Sequence, residues 1–372
     1  MAYEGKTIGL ALSGGGFRAT LFGLGSLLRL NELGLLGLLD RVTSVSGGSI
    51  LAAFLGSRWK ELSFEDGICR NFEAVVARPL RDFCGRTLDI RAGLEGIFSP
   101  FTTAGEALAA RYDRDIFHGA TIRDLPVGPG RSTPATGPDF VIYATNMQTG
   151  RSFRFTRNYV ADYYIGINRE AVFPLATAVA ASSAFPPVFS PVKIEARPGD
   201  WQNAGLKHPR LSRLQEKIIL ADGGVYDNMG LEALLGNVDI VLVSDAGAPF
   251  EVEPYPLGDY FSQLGRVRDI LIGQTRALRK RWLIQDFKDR KHSGTYWGIG
   301  THIANYQVPS IVGDTPTTEA LQSVRTRLNK FTDREQGHLI NWGYALCDAA
   351  VRKHVIPGAP QAVRLPVPEY PL

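Results

Sequence analysis

Three short glycine-rich segments carry residue types suited to acyl chemistry. They are Ser13-Gly14-Gly15-Gly16-Phe17-Arg18, Ser44-Val45-Ser46-Gly47-Gly48 and Leu220-Ala221-Asp222-Gly223-Gly224. In the first, successive small residues opening a helix leave several backbone N–H groups unpaired, and the helix dipole adds positive potential there. Such a turn suits a phosphate, or the oxyanion of an acyl-transfer intermediate. A tight turn that only packs helix on strand would also use these glycines. The second segment has the spacing of a nucleophile elbow, G-x-S-x-G, in which a strained strand-to-helix turn presents a serine oxygen between small neighbours. Gly48 meets that need, and Ser44 stands where the first glycine is expected. A serine that N-caps the following helix reads the same way. The third segment puts a carboxylate, Asp222, at the end of an apolar run, where Asp-Gly is otherwise simply a turn.

Each segment follows a strand-like run. Thr7–Leu12 leads to a helix over Phe17–Leu33, Arg41–Val45 to a helix from Ile50 to about Trp59, and Lys217–Ala221 to Asp222. Val238–Ser244 is the clearest buried strand. This alternation predicts an α/β fold with a mostly parallel central sheet covered by helices on both faces. The three turns would then share the carboxyl edge of that sheet, where ligand sites of open α/β sheets gather. Phe140–Thr145 reads as a strand, Arg151–Thr156 as an exposed or antiparallel one, and Pro174–Ser183 as a small-residue helix. Phe64–Asp115 reads as mostly helical, broken by Pro79 and Pro100; Gly128–Gly137 as a loop; Trp201–Leu214 as an irregular insertion. A long basic helix lies within Tyr260–Lys291, and a last helix within Thr318–His354. With no internal repeat or low-complexity linker, residues 1–372 read as one domain, its core roughly 6–247 and a helical part at 260–356.

The glycine turn also fits a dinucleotide fingerprint, G-x-G-x-x-A, through Gly14, Gly16 and Ala19, with Glu32 or Asp40 placed for a ribose. That alternative leaves the serine turn and the Asp-Gly-Gly turn without a role. Taken in order, Gly14-Gly15-Gly16-Phe17-Arg18, Ser44-Val45-Ser46-Gly47-Gly48 and Asp222-Gly223-Gly224 resemble the signatures of the patatin-like phospholipases. Two softer stretches resemble that family too: Tyr143-Ala144-Thr145-Asn146 with Thr149-Gly150, and Ala181 to Phe189. The resemblance implies a three-layer patatin-like fold and a Ser–Asp dyad acyl hydrolase of phospholipase A or lysophospholipase type. Ser46 would be the nucleophile, Asp222 the proton acceptor, and Gly14, Gly15 and Gly16 the oxyanion donors. Arg18 would orient the glycine loop or meet a lipid phosphate. No cofactor or metal is implied, and the scattered histidines and cysteines show no metal-ligand spacing. Four histidines come after Asp222, namely His292, His302, His338 and His354, and none stands at an evident strand-end turn, as a Ser-His-Asp triad would want. A non-catalytic binding protein on the same fold stays open. So does a nucleotide-regulated effector, since some bacterial relatives in the resembled family are gated by cyclic oligonucleotides.

The composition narrows the partners. Hydrophobic residues at 44% and charged residues at 21% argue against disorder, and three cysteines in 372 residues argue against a disulfide scaffold and for a reducing compartment. No apolar stretch is long enough to span a bilayer, and the first residues lack the pattern of a signal peptide. A cytoplasmic protein is expected, able to touch the inner membrane surface. A net charge of +4 is too small to imply a nucleic acid polymer and compatible with an anionic membrane. The basic stretch from Arg266 to Lys291, interleaved with Leu271, Leu278, Trp282 and Phe287, reads as a solvated face, a surface meeting anionic headgroups, or a site for a partner or regulatory ligand. Acyl position, headgroup and chain-length preference would be set by the 64–115 and 201–214 regions.

Overall fold

The computed structural model describes residues 5–88, 103–129, 134–186, 189 and 191–372. Parts of the 64–115, 128–137 and 181–189 stretches therefore lie outside the described residues. Side chains alternate across each central strand. Leu10, Leu12, Ile240 and Leu242 enter one core, and Ala11, Val241 and Val243 enter a second on the opposite face. The strands are buried on both faces, which is why they read as continuous apolar runs.

Strands β1 (Ile8–Leu12), β2 (Arg41–Val45) and β3 (Asp139–Asn146) pair in parallel, and β3 turns back into the antiparallel β4 (Arg151–Phe155), β5 (Val160–Asp162) and β6 (Gly166–Asn168). Beyond these come β7 (Val192–Glu195), β8 (Trp201–Gln202), β9 (Lys217–Asp222), β10 (Ile240–Asp245) and β11 (Ser293–Gly298). All eleven form one sheet whose main path runs β8-β6-β5-β4-β3-β2-β1-β10-β11, with β9 joined to β3 and β7. The larger core is closed by helices α1 (Gly16–Glu32), α2 (Gly47–Arg58) and α3 (Leu175–Ser183). On the other face Leu231 and Leu234 cover the sheet with Leu283 of the long α4 (Tyr260–Lys288). The last helix, α5 (Asp333–His354), lies along α1 and adds Leu339, Ile340 and Leu346 to the larger core.

Several expectations change. The last helix starts at Asp333 rather than Thr318, because Thr332 and Glu335 form a capping box there; residues 316–323 make two short turns instead. Residues 64–69 form a two-stranded hairpin rather than helix. Trp201–Leu214 contributes an edge strand to the sheet, then the start of a short helix. The sheet and its core also extend past residue 247, since β11 pairs in parallel with β10 and buries Trp297. Among the described residues no helix is long and apolar enough to cross a membrane.

The pairing of β9 is the change that matters most for the site. The sequence reads it as a further parallel strand, whereas it runs antiparallel to β3. One edge of β3 is paired with β2 up to Val45↔Tyr143, and the same edge continues with β9 from Asp222↔Ala144. Strands β2 and β9 thus enter one slot of the sheet from opposite ends, and their carboxyl termini face each other one residue apart in the register of β3. The residue after Val45 must therefore meet the residue that ends β9.

Candidate active site

Val45 is succeeded by Ser46, with φ 52° and ψ −122°. A positive φ is uncommon for a residue with a Cβ, and strain of this kind is held only where the surroundings enforce it. The enforcement comes from both sides. Behind the turn, a Cβ on Gly47 would lie 1.9 Å from the carbonyl oxygen of Gly16, so the elbow and the glycine loop are in backbone contact. In front, the Ser46 N–H donates to Ser182 Oγ of α3 at 2.9 Å. Ser182 Oγ lies 2.8 Å from Ser49 Oγ, and Ser49 donates to Ser44 Oγ at 3.0 Å. Ser49 has one proton, which goes to Ser44, so Ser182 donates to Ser49. The serine that replaces the expected glycine of the elbow is therefore the terminal acceptor of a buried hydroxyl chain supporting Ser46.

Asp222 is fixed as firmly. Its N–H bonds Ala184 O, its carbonyl accepts from Thr145 Oγ1 at 2.8 Å, and the next amide, of Gly223, bonds Ser182 O. The two softer sequence stretches thus act as clamps on the acid. The carboxylate accepts from Gly224 N–H at 2.7 Å, and the Ser46 side chain lies near enough to bear on its charge. Burial raises its pKa from 3.8 to about 7, and the Gly224 N–H bond and the nearby Ser46 side chain oppose the shift only in part. A carboxyl titrating near neutrality beside a serine is matched to proton exchange with it.

The glycine loop sits against both groups. The Gly14 N–H donates to Asn228 O at 3.0 Å, so it is engaged within the protein. The Gly15 and Gly16 N–H groups have no acceptor among the described residues, and both residues have positive φ, 144° and 56°. The expected triple cradle therefore narrows to two free amides. Arg18 is wholly buried. It donates to Ala246 O through Nε and Nη2, and to Gln322 O and Val324 O through Nη1. That carbonyl cage ties the glycine loop to two other segments. Burial and the nearby Arg276 bring its pKa down to about 10, which leaves it charged at neutral pH.

Ser46, Asp222 and the two free amides open on one cavity of about 920 Å³. Phe185, Phe189 and Ile272 line it, and Arg266 and Arg268 of α4 stand on its wall. No histidine lines it among the described residues. His292 precedes β11 at the opposite edge of the sheet and faces Asp286. The dinucleotide alternative fails on geometry. Phe17 N–H at the start of α1 is capped by Arg327 O, and a Cβ on Gly16 would meet Thr326 O at 2.7 Å, so backbone occupies the place of a pyrophosphate. Asp40 accepts from Ile8 N–H at the far edge of the sheet, and Glu32 pairs with Arg29 at the far end of α1.

A family model described as patatin-like phospholipase matches residues 10–235, a span holding all three glycine turns. The chain belongs to the patatin-like phospholipase family. Among solved structures this patatin-like chain is similar to human GIVD cytosolic phospholipase A2, at 12% identity and TM-score 0.52, over 94% of this chain and 59% of that one. The same human protein in complex with methyl gamma-linolenyl fluorophosphonate matches at 13% identity and TM-score 0.50, over 94% and 57%. At these identities the likeness is one of fold, and the chain spans under two thirds of the human protein's length. No curated protein matches the sequence.

Sequence reasoning singled out the stretch holding Ser182 without giving that serine a role, and it missed Asn228. Ser182 lies in a run of Ala and Ser with no distinctive spacing, and Asn228 engages the glycine loop through its backbone carbonyl, which no sequence pattern marks. The supports of the elbow can each be tested by a single substitution. Ser182→Ala removes the acceptor of the Ser46 N–H and is expected to cost about 1–3 kcal/mol of stability in urea unfolding and to lower kcat while leaving KM nearly unchanged. Gly47→Ala drives a methyl into backbone that cannot rotate away. It is expected to lower stability by about 3 kcal/mol and to suppress ester turnover more than Ser182→Ala does, read by thermal melts and initial rates on a soluble ester.

Proposed function

We propose that this patatin-like protein is a serine acyl hydrolase cleaving fatty acyl esters of phospholipids or lysophospholipids. The observation that carries the reading is that Ser46, held at positive φ, the buried Asp222 and the free Gly15 and Gly16 amides open on one cavity. In the acylation step Ser46 Oγ attacks the ester carbonyl carbon and its proton passes to Asp222. The tetrahedral oxyanion forms toward the Gly15 and Gly16 amides, which need no rearrangement to receive it. Collapse breaks the bond to the alkoxy oxygen, and Asp222 returns the proton to the departing alcohol. Water then attacks the acyl-enzyme carbonyl, Asp222 accepts its proton, and the fatty acid leaves as the proton goes back to Ser46. A protein that only binds has no use for a strained serine paired with an acid kept near neutrality.

The aromatic wall of Phe185 and Phe189 suits an acyl chain, and Arg266 and Arg268 suit an anionic headgroup. The buried free thiols Cys69, Cys84 and Cys347 support a reducing, cytoplasmic setting. Methyl gamma-linolenyl fluorophosphonate, seen in complex with the human neighbour, is the probe for the test. The expected result is a single adduct located at Ser46 by mass spectrometry, with parallel loss of p-nitrophenyl ester hydrolysis. An adduct elsewhere, or hydrolysis that survives full labelling of Ser46, removes the proposal.

A further inference from the structure

Sequence alone leaves the basic side of α4 open as a solvated face, a surface for anionic headgroups or a partner site; the structure turns part of it inward. Arg276 of α4 pairs with Asp245 at the end of β10, and Arg279 with Asp227 and Glu232, so part of the basic side faces the protein. Arg266, Arg276 and Lys280 line the cavity that holds Ser46. Along the whole helix only Leu283 and Asp286 are buried. Facing solvent instead is a continuous apolar stripe: Tyr260, Leu264, Val267, Leu271, Leu278 and Trp282, each 51–71% exposed. These positions recur at intervals of three, four and seven residues and fall within a narrow arc, so the stripe runs straight for about 33 Å. It begins in Tyr and ends in Trp, the residues that favour a bilayer's polar–apolar boundary. Phe261, Val252, Tyr255 and Leu257 extend the exposed apolar surface at its start.

The charge identifies what covers this stripe. Residues 260–288 hold seven Lys and Arg against two Asp; leaving out Arg276 and Arg279, which pair with acids of the body, five minus two gives +3, while the entire chain carries +4. The helix therefore concentrates the positive charge of a molecule otherwise close to neutral. A second copy seated on the same stripe would bring like-charged flanks, Arg281 and Lys288 among them, against one another. An anionic phospholipid surface would accept both the apolar stripe and the flanking cations such as Arg281 and Lys288. We infer that the outer face of α4 docks the protein on an anionic bilayer, the helix lying in the interface and the Ser46 cavity opening beside it. The inference rests on the proposed lipid-ester substrate and names the surface from which that substrate is drawn.

The molecule carries its own reporter. Trp282 is exposed on the stripe, whereas Trp59, Trp201, Trp297 and Trp342 are buried. The experiment uses the full chain carrying Ser46→Ala, so that lipid is not consumed, and vesicles of phosphatidylcholine with or without an equal part of phosphatidylglycerol. The expected result is a blue-shift of tryptophan emission on the mixed vesicles, quenching by brominated acyl chains, and loss of both signals in Trp282→Phe. Half-saturation is expected at about tenfold less lipid than with phosphatidylcholine alone, with the difference erased by high salt. Leu271→Glu with Leu278→Glu is expected to weaken vesicle binding about tenfold or more. In a chain that keeps Ser46, the same pair is expected to leave turnover of a soluble ester intact. No binding, binding unchanged in the double variant, or a wild-type dimer in sedimentation that the double variant converts to monomer would each overturn the inference. The fluorophosphonate adduct at Ser46 is read without vesicles, so failure of docking and failure of the hydrolase reading are separate results.

Discussion

Ser46→Ala is expected to lower ester turnover by at least about ten-thousandfold while leaving the fold and its melting temperature nearly unchanged. The magnitude comes from removing the atom that the proposed mechanism makes the nucleophile; what remains is catalysis by the amide cradle and by binding alone. The structural cost is small, because the elbow is held through the Ser46 N–H, which alanine retains. Alanine keeps the Cβ and its positive-φ strain, so a stability change of more than about 1 kcal/mol is not expected. Initial rates on a p-nitrophenyl ester, with circular dichroism melts of both proteins, check the two halves together. Turnover within tenfold of wild type in folded Ser46→Ala protein would falsify the nucleophile assignment.

Much of this site is legible in the sequence because its chemistry needs glycine. An elbow at positive φ, an amide cradle and an acid at a strand terminus all exclude bulky neighbours, and that exclusion leaves visible turns at Gly14–Gly16, Gly47–Gly48 and Gly223–Gly224. The hidden part depends on long-range pairing. Nothing in Lys217–Asp222 states whether the strand runs with or against β3, since a buried run of either direction has the same composition. Yet the antiparallel direction is what brings Asp222 opposite Ser46. Ser293–Gly298 escapes notice for a different reason. As an edge strand of small, polar and aromatic residues it carries neither alternation nor an apolar run, and its place is fixed by β10. Arg18 shows the limit for single charged residues. Its type fits a phosphate or a carbonyl cage equally, and only burial tells them apart. The basic helix shows the limit for faces: its stripe is present in the sequence, but which side the fold covers is decided by the partners of Arg276 and Arg279.

Asp222→Asn is expected to be almost inactive and, above neutral pH, more stable than wild type. With its pKa raised to about 7 mainly by burial, the wild-type acid is largely protonated below neutrality and cannot accept the serine proton. The rate is therefore expected to climb as pH rises through about 7 and then level off, an acid limb far above the ordinary carboxyl range. Asparagine cannot take the proton at any pH, so turnover is expected to fall at least about a thousandfold and to lose that limb. Stability moves the other way. A carboxyl whose folded pKa exceeds its unfolded value favours folding below the unfolded pKa of 3.8, and that advantage is lost as pH rises through the folded value of about 7. Above that point the wild type holds an ionised carboxylate where burial disfavours it. Asparagine has no charge to bury and can still accept the Gly224 N–H bond, so the variant is expected to gain a few kcal/mol at about pH 8 and nothing at about pH 4. Thermal melts of both proteins at the two pH values, beside a pH–rate profile of the wild type, decide it. Equal stability differences at both pH values would mean that Asp222 is not held near neutrality. The proton acceptor would then have to be sought among the other groups lining the cavity.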